Sequence, residues 1–186
     1  MSETPTSEQV LSMILPPTIA GGHGGNLIDG EGRPWLDFIS AWGANLLGHG
    51  EPRVAEAVRA QIGRHANLGL AGPEFHELHA RLIRVVPCAQ GMHLVKNGSD
   101  ATAAAIRLAR HVTGRTTVLH RGYHGAQDWY MAGCGTPGVP AALRDHIVTL
   151  PDLAPETVAA ALAAAPDGVA CLILDPMAWP EPKVFQ

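Results

Sequence analysis

Lysine is nearly missing from this chain. Of 13 basic residues in 186, only Lys96 and Lys183 are lysines, so chemistry that needs a lysine amine has two candidates. Aromatic residues are also few, at 5%. Cys88, Cys134 and Cys171 are odd in number and widely spaced. They exclude a disulfide framework, offer no zinc pattern, and fit a reducing cytoplasm. Positive charge is not in excess: the formal net charge is -4 and the pI is near 6.2. That balance gives no electrostatic footprint for nucleic acid. No run of 18 apolar residues is present, so no membrane-spanning helix is expected. The opening MSETPTSEQV lacks the basic start and apolar stretch of a secretory signal. Neither a G-x-S-x-G elbow nor a phosphate-binding Walker sequence occurs.

What is present reads as globular, with 46% hydrophobic and 16% charged residues. Residues 1–20 suggest a polar arm with one short helix, followed by a flexible glycine turn over Gly21–Gly25. Two short strands, Asn26–Ile28 and Trp35–Ile39, flank the turn Asp29–Gly32, because Asp-Gly between apolar runs is a hairpin signal. Pro52 opens a helix over Arg53–His65, with Val54, Ala57, Val58 and Ile62 on one face. Pro73 opens a second over Glu74–Val85, which Pro87 ends. Then strands and helices alternate. Met92–Lys96, Thr116–His120, His146–Leu150 and Val169–Leu174 read as strands. Asp100–Thr113 and Pro155–Ala165 read as helices, the first closed by Gly114. Such alternation predicts an α/β fold with a mainly parallel sheet.

Four segments have the chemistry to form a site. In Lys96-Asn97-Gly98-Ser99-Asp100-Ala101 a strand ends, a glycine allows a tight turn, and Ser99 or Asp100 caps a helix. Free N–H groups and the positive helix end suit an anion such as a phosphate, although every α/β protein has ordinary caps of this kind. In His120-Arg121-Gly122-Tyr123-His124-Gly125, flat rings lie between glycines after a strand. They suit a planar ligand or simply pack locally. Asp175 puts a carboxylate at the end of a buried strand, where it binds a ligand or merely stops the strand. Ser40-Ala41-Trp42-Gly43, followed by Leu47–Gly50, lines a pocket or places Trp42 in the core. His76 and His79 have metal-ligand spacing but no third ligand nearby, so no metal is expected.

In this order the segments resemble the class III aminotransferases among the fold type I pyridoxal phosphate enzymes, in the branch of glutamate-1-semialdehyde aminomutase and its carbonyl-aminating relatives. The resemblance rests on Asp29–Phe38, Trp42-Gly43, Leu47-Gly48-His49, Pro52–Val58, Asn97–Ala101, Ile106–Arg115, Tyr123-His124-Gly125 and Asp175-Pro176. It covers nearly all of residues 20–180. It implies a partial large α/β domain with an N-terminal arm and hairpin, and pyridoxal 5'-phosphate as cofactor. Asn97, Gly98 and Ser99 would hold the phosphate. Tyr123 would stack on the ring with His124 beside it, and Asp175 would stand where the family has Glu-Pro. Ser40 and Trp42 would face the substrate. The activity implied is amino transfer to a carbonyl compound through Schiff bases, with a lysine moving the proton.

Two departures from the family pattern qualify this. Lys96 and Asp100 replace the usual Asn and Glu, which points toward the sugar- or small-carbonyl-modifying relatives. By the same resemblance, the Schiff-base lysine and the Asp paired with the pyridine nitrogen fall beyond Gln186. No catalytic residue is therefore assigned here. The expected organisation is residues 1–70 as arm, hairpin and helix, and 71–186 as the first half of the cofactor-binding domain. Expected partners are a small amino donor, a carbonyl acceptor, and a second copy or a missing C-terminal half. The competing reading is a non-catalytic phosphate-ligand or partner-binding protein of the same descent.

Overall fold

A computed structural model describes residues 18–65 and 69–175. The chain divides into two compact units, Met1–Arg81 and Leu82–Gln186.

In the first unit, β1 (Ile19–His23), β2 (Asn26–Asp29) and β3 (Pro34–Leu36) form an antiparallel sheet in the order β1-β2-β3. The glycine stretch expected to be a flexible turn is therefore largely strand. Gly22 pairs with Leu27, and it must be glycine because a Cβ there would lie 2.7 Å from the His49 ring. Asp29 organises the hairpin. Its Oδ1 accepts the N–H groups of Glu31 and Arg33, and its Oδ2 accepts Arg33 Nε at 2.8 Å and Trp35 Nε1 at 2.9 Å. These bonds, the Trp35 donor first, hold its carboxyl far below the usual carboxylate range. The N-terminal arm falls mostly in residues outside those described.

Helix α1 (Pro52–Arg64) begins where expected, with proline in the first turn and Glu51 Oε2 accepting Val54 N–H at 2.8 Å. Helix α2 (Pro73–Val85) runs across the division of the two units. Neither helix has a buried residue.

The second unit contains α3 (Gly98–Thr113), β4 (Thr117–Arg121), α4 (Asp128–Gly133), α5 (Ala141–Arg144), β5 (Ile147–Thr149), α6 (Pro155–Ala163) and β6 (Val169–Leu174). Its three strands are parallel in the order β5-β4-β6. Val118, Leu119 and His120 of central β4 are all buried, as expected of a strand covered on both faces. Ile106 from α3, Trp129 and Ala132 from α4, and Ile147 from β5 complete the core. Gly114 ends α3 with φ 68°, and its N–H returns to Arg110 O at 2.9 Å. Two expectations for this unit need correction. Met92–Lys96 is not a strand, because it has no ladder partner among the described residues. The cap of α3 is Asn97 rather than Ser99 or Asp100, since its Oδ1 accepts Asp100 N–H at 2.9 Å. The short helices α4 and α5 were not expected; they are too brief for helical periodicity to show.

Candidate functional site

The turn into α3 and the loop after β4 meet at one cavity of about 310 Å³. Gly98, Ser99, Thr102, Tyr123, His124 and Gly125 line it. Four of the expected residues (Gly98, Ser99, Tyr123 and His124) are thus brought together. Asn97 stands just before them, its side chain occupied in capping the helix. The N–H groups of Gly98 and Ser99 precede the first intrahelical bond and lie at the positive end of a 16-residue helix.

Two hydrogen bonds join the turn to the loop. Ser99 Oγ accepts Ala126 N–H at 3.1 Å, and Thr102 Oγ1 donates to His124 O at 2.8 Å. A third, Gln127 Nε2 to Asp100 Oδ1 at 3.0 Å, lies at the rim. Gly125 makes the approach possible: its φ is 106°, and a Cβ there would fall on the Ser99 side chain. Gly122, at φ 92°, plays the same part toward Asp175, whose backbone N–H donates to Arg121 O at 2.9 Å. Asp175 therefore sits against the glycine loop, as its place after β6 suggested; Pro176 lies outside the described residues. Thr102 was not singled out from the sequence, and Gly125 was read only as part of the Tyr-His-Gly loop. The signal for Thr102 was present: a lone hydroxyl in an alanine run.

Beneath the loop is a pack of rings. His120 meets His124, Trp129 and Tyr130 edge to face, with centroids 5.7, 6.3 and 5.3 Å away. His124 stacks on Trp129 at 5.9 Å. Tyr123 is 70% exposed and touches Tyr130 edge to face at 5.7 Å, which leaves ring surface open at the cavity. Burial pushes His120 down to about 4, helped by the charge of His124. Burial also lowers His124, against the opposing Arg121 carbonyl bond and the Asp175 charge. Burial, followed by the hydrogen bond with Cys134, pushes Tyr130 up to about 12. The loop is thus held by two neutral imidazoles at neutral pH.

Ser40 and Trp42 belong to the first unit. With Ala41 they adopt φ of 49°, 51° and 59°, and Gly43 follows at 83°. Consecutive left-handed residues with side chains are rare and each costs about 1–2 kcal/mol. Gly43 N–H and Asn45 N–H both return to Ser40 O at 3.0 Å, which closes a left-handed turn. Asp37 caps it: Oδ1 accepts Ile39 N–H at 2.9 Å and Ser40 N–H at 2.8 Å, while Oδ2 pairs with His49 Nε2 at 2.7 Å. Trp42 is 93% exposed, so it is not a core residue. His76 and His79 pack around Phe75 on α2, and among the described residues no cluster of three metal-ligating side chains occurs.

A parallel sheet with a helix start and a glycine loop around one small cleft defines an α/β protein with a cleft at the start of α3. The sequence model of the class-III aminotransferase family matches residues 8–176, and the chain belongs to that family. Glutamate-1-semialdehyde 2,1-aminomutase of Methanothermobacter thermautotrophicus is 34% identical over 168 residues, which span 85% of this chain and 40% of that protein. An omega-transaminase of Sphaerobacter thermophilus superposes with TM-score 0.83 at 26% identity, over 94% of this chain and 44% of its own. A transaminase solved with PLP bound gives TM-score 0.80 at 25% identity, over 87% and 41%. The fold is part of the fold type I transaminase architecture. The chain spans about 40% of the length of the curated relatives it matches.

Proposed function

We propose that this chain is the phosphate-holding N-terminal part of a pyridoxal phosphate-dependent aminotransferase or aminomutase that passes an amino group to a carbonyl compound. The carrying observation is the cavity joining Gly98, Ser99 and Thr102 to Tyr123, His124 and Gly125. Its volume falls at the small end of ligand sites, about 300–1,000 Å³. The residues present fit the cofactor's phosphate end, because a helix start, a hydroxyl and a glycine cradle converge there.

In this reading the N–H groups of Gly98 and Ser99 and the Ser99 hydroxyl hold the phosphate, and Asn97 fixes the helix start. Tyr123 lays its ring on the cofactor, with His124 beside it and Asp175 at the loop's far side. Ser40 and Trp42 face the substrate. Bound pyridoxal phosphate supplies the electron sink for amino transfer. Neither Lys96 nor Lys183 is assigned the covalent attachment, which the reading gives to a lysine outside this chain. The bare apolar side chains of the first unit are assigned to a second copy or to the rest of the protein.

The chain by itself is expected to show no transamination, whereas the full-length protein carrying it does so with pyridoxal phosphate. Borohydride trapping of the cofactor on Lys96 or Lys183, with turnover by the chain alone, would contradict the assignment.

A further inference from the structure

His120 is the ring on which the loop rests, although it does not line the cavity. It is 2% exposed, in the central strand, and opposite Thr149 in the β4–β5 register. Its Nε2 lies 2.8 Å from Thr149 Oγ1, which in turn reaches Gly133 O at 3.4 Å. A carbonyl only accepts, so Thr149 donates to Gly133 and its oxygen is left to accept the Nε2–H of His120. That choice leaves His120 Nδ1, which has no partner among the described residues, as a bare acceptor rather than a stranded donor. Gly133 presses the ring from α4: a Cβ there would come within 2.7 Å of His120 Nε2.

From this fixed ring the contacts lead outward in two directions. One runs to His124, whose Nε2–H donates to Arg121 O at 3.0 Å and whose carbonyl holds Thr102. The other runs through Tyr130 to Tyr123. Both end on residues of the cavity wall.

We propose that His120 is a positioning residue. Anchored by Thr149, it fixes the ring plane of His124, whose tautomer is set by its own Nε2–H bond to Arg121 O, and thereby the shape of the cradle between Thr102 and Gly125. This inference rests on the reading of that cradle as the cofactor site. A phenylalanine would keep a flat ring in the slot, slightly larger than imidazole, yet lose the Thr149 bond. Valine at 149 removes the same bond from the other side while keeping a β-branched strand residue.

The test uses the full-length protein and its His120→Phe and Thr149→Val variants. The imidazole nitrogen NMR signals of His124 are recorded alongside pyridoxal phosphate affinity and thermal melting. The wild type is expected to show His124 as one Nε2–H tautomer. Both variants should shift and broaden the His124 ring signals and bind pyridoxal phosphate about tenfold more weakly, the scale of one buried hydrogen bond. Unchanged His124 signals in melting-competent variants would overturn the proposal and leave His120 a core residue. Altered His124 signals in a protein that does not bind pyridoxal phosphate would refute the cofactor reading while the positioning stands.

Discussion

The two units differ in whether their apolar residues form a core, although both leave large apolar side chains exposed. Among the described residues, every buried hydrophobic side chain lies in the second unit: Ile106, Val118, Leu119, Trp129, Ala132, Ile147, Leu150 and Ala170. The first unit keeps Asp29 buried and leaves Phe38, Trp42, Leu46, Leu47, Val58 and Ile62 exposed. A groove of about 660 Å³ runs along its α1, lined in part by Leu47, Val54, Ala57 and Val58. Polar order sustains the first unit, through the Asp29 hairpin bonds and the Asp37–His49 clamp. Hydrophobic burial, worth about 1.5–3 kcal/mol per large aliphatic side chain, sustains the second. A region that forms its own core carries the cleft, while the other, among the described residues, buries no hydrophobic side chain.

The sharpest way to break this contrast is truncation. Ile106→Ala should destabilise the chain by about 2–5 kcal/mol, and Val58→Ala by less than about 0.5 kcal/mol. Urea unfolding of both variants measures the difference; equal losses would show a hidden core around α1.

The cradle comes next. Gly125→Ala must place a side chain at φ 106° and onto Ser99. A cost of about 1–3 kcal/mol is expected, with cofactor-phosphate binding lost. Calorimetric titration reads the binding, and a melting curve reads the stability.

Acid sharpens the comparison further. His120 is held near 4 when folded and titrates near about 6.5 when unfolded. Between those values the unfolded chain binds the extra proton, so stability falls as pH falls through that window. Asp29 and Asp37 are depressed, so their contribution persists there and fades only as pH drops below the usual carboxylate range. The second unit should therefore weaken first on acidification, and His120→Phe should flatten that slope. Hydrogen exchange across pH 4–7, about the range of these two values, would show it.

The smallest effect concerns the left-handed turn. Ala41→Gly relieves a positive φ of 51° and should slow local opening at Gly43 and Asn45 by about 0.5–1 kcal/mol. Faster exchange at those amides would contradict the strain.

Much of this layout was legible in the sequence wherever one residue type has one physical reading. Pro52 and Pro73 marked helix starts, Gly114 a helix end, and Asp29-Gly30 a hairpin. The alternation read from residue 91 onward gave the parallel sheet, although its first piece, Met92–Lys96, is not a strand. Legibility failed where the partner, not the segment, decides. Ile19–His23 carries too few side chains to look like a strand and is one because β2 pairs with it. Met92–Lys96 has a strand's composition and no ladder partner among the described residues. The turn at Ser40–Trp42 opposes the preference of its own residues, and only Asp37 and His49 account for it. In the cradle, the helix start and the Tyr-His-Gly loop could each be read, but their closure through Thr102 and Ser99 links residues 22 and 27 positions apart. His120 was seen only as part of a motif, because nothing local marks a histidine as buried.

The most direct test of the central claim compares pyridoxamine phosphate with pyridoxamine, neither of which needs a lysine for attachment. Calorimetric titration on the full-length protein should give at least about tenfold tighter binding for the phosphorylated form, a difference of ~1.4 kcal/mol that Ser99→Ala largely removes. Equal binding of the two, or a preference untouched by Ser99→Ala, would contradict a phosphate cradle at the start of α3.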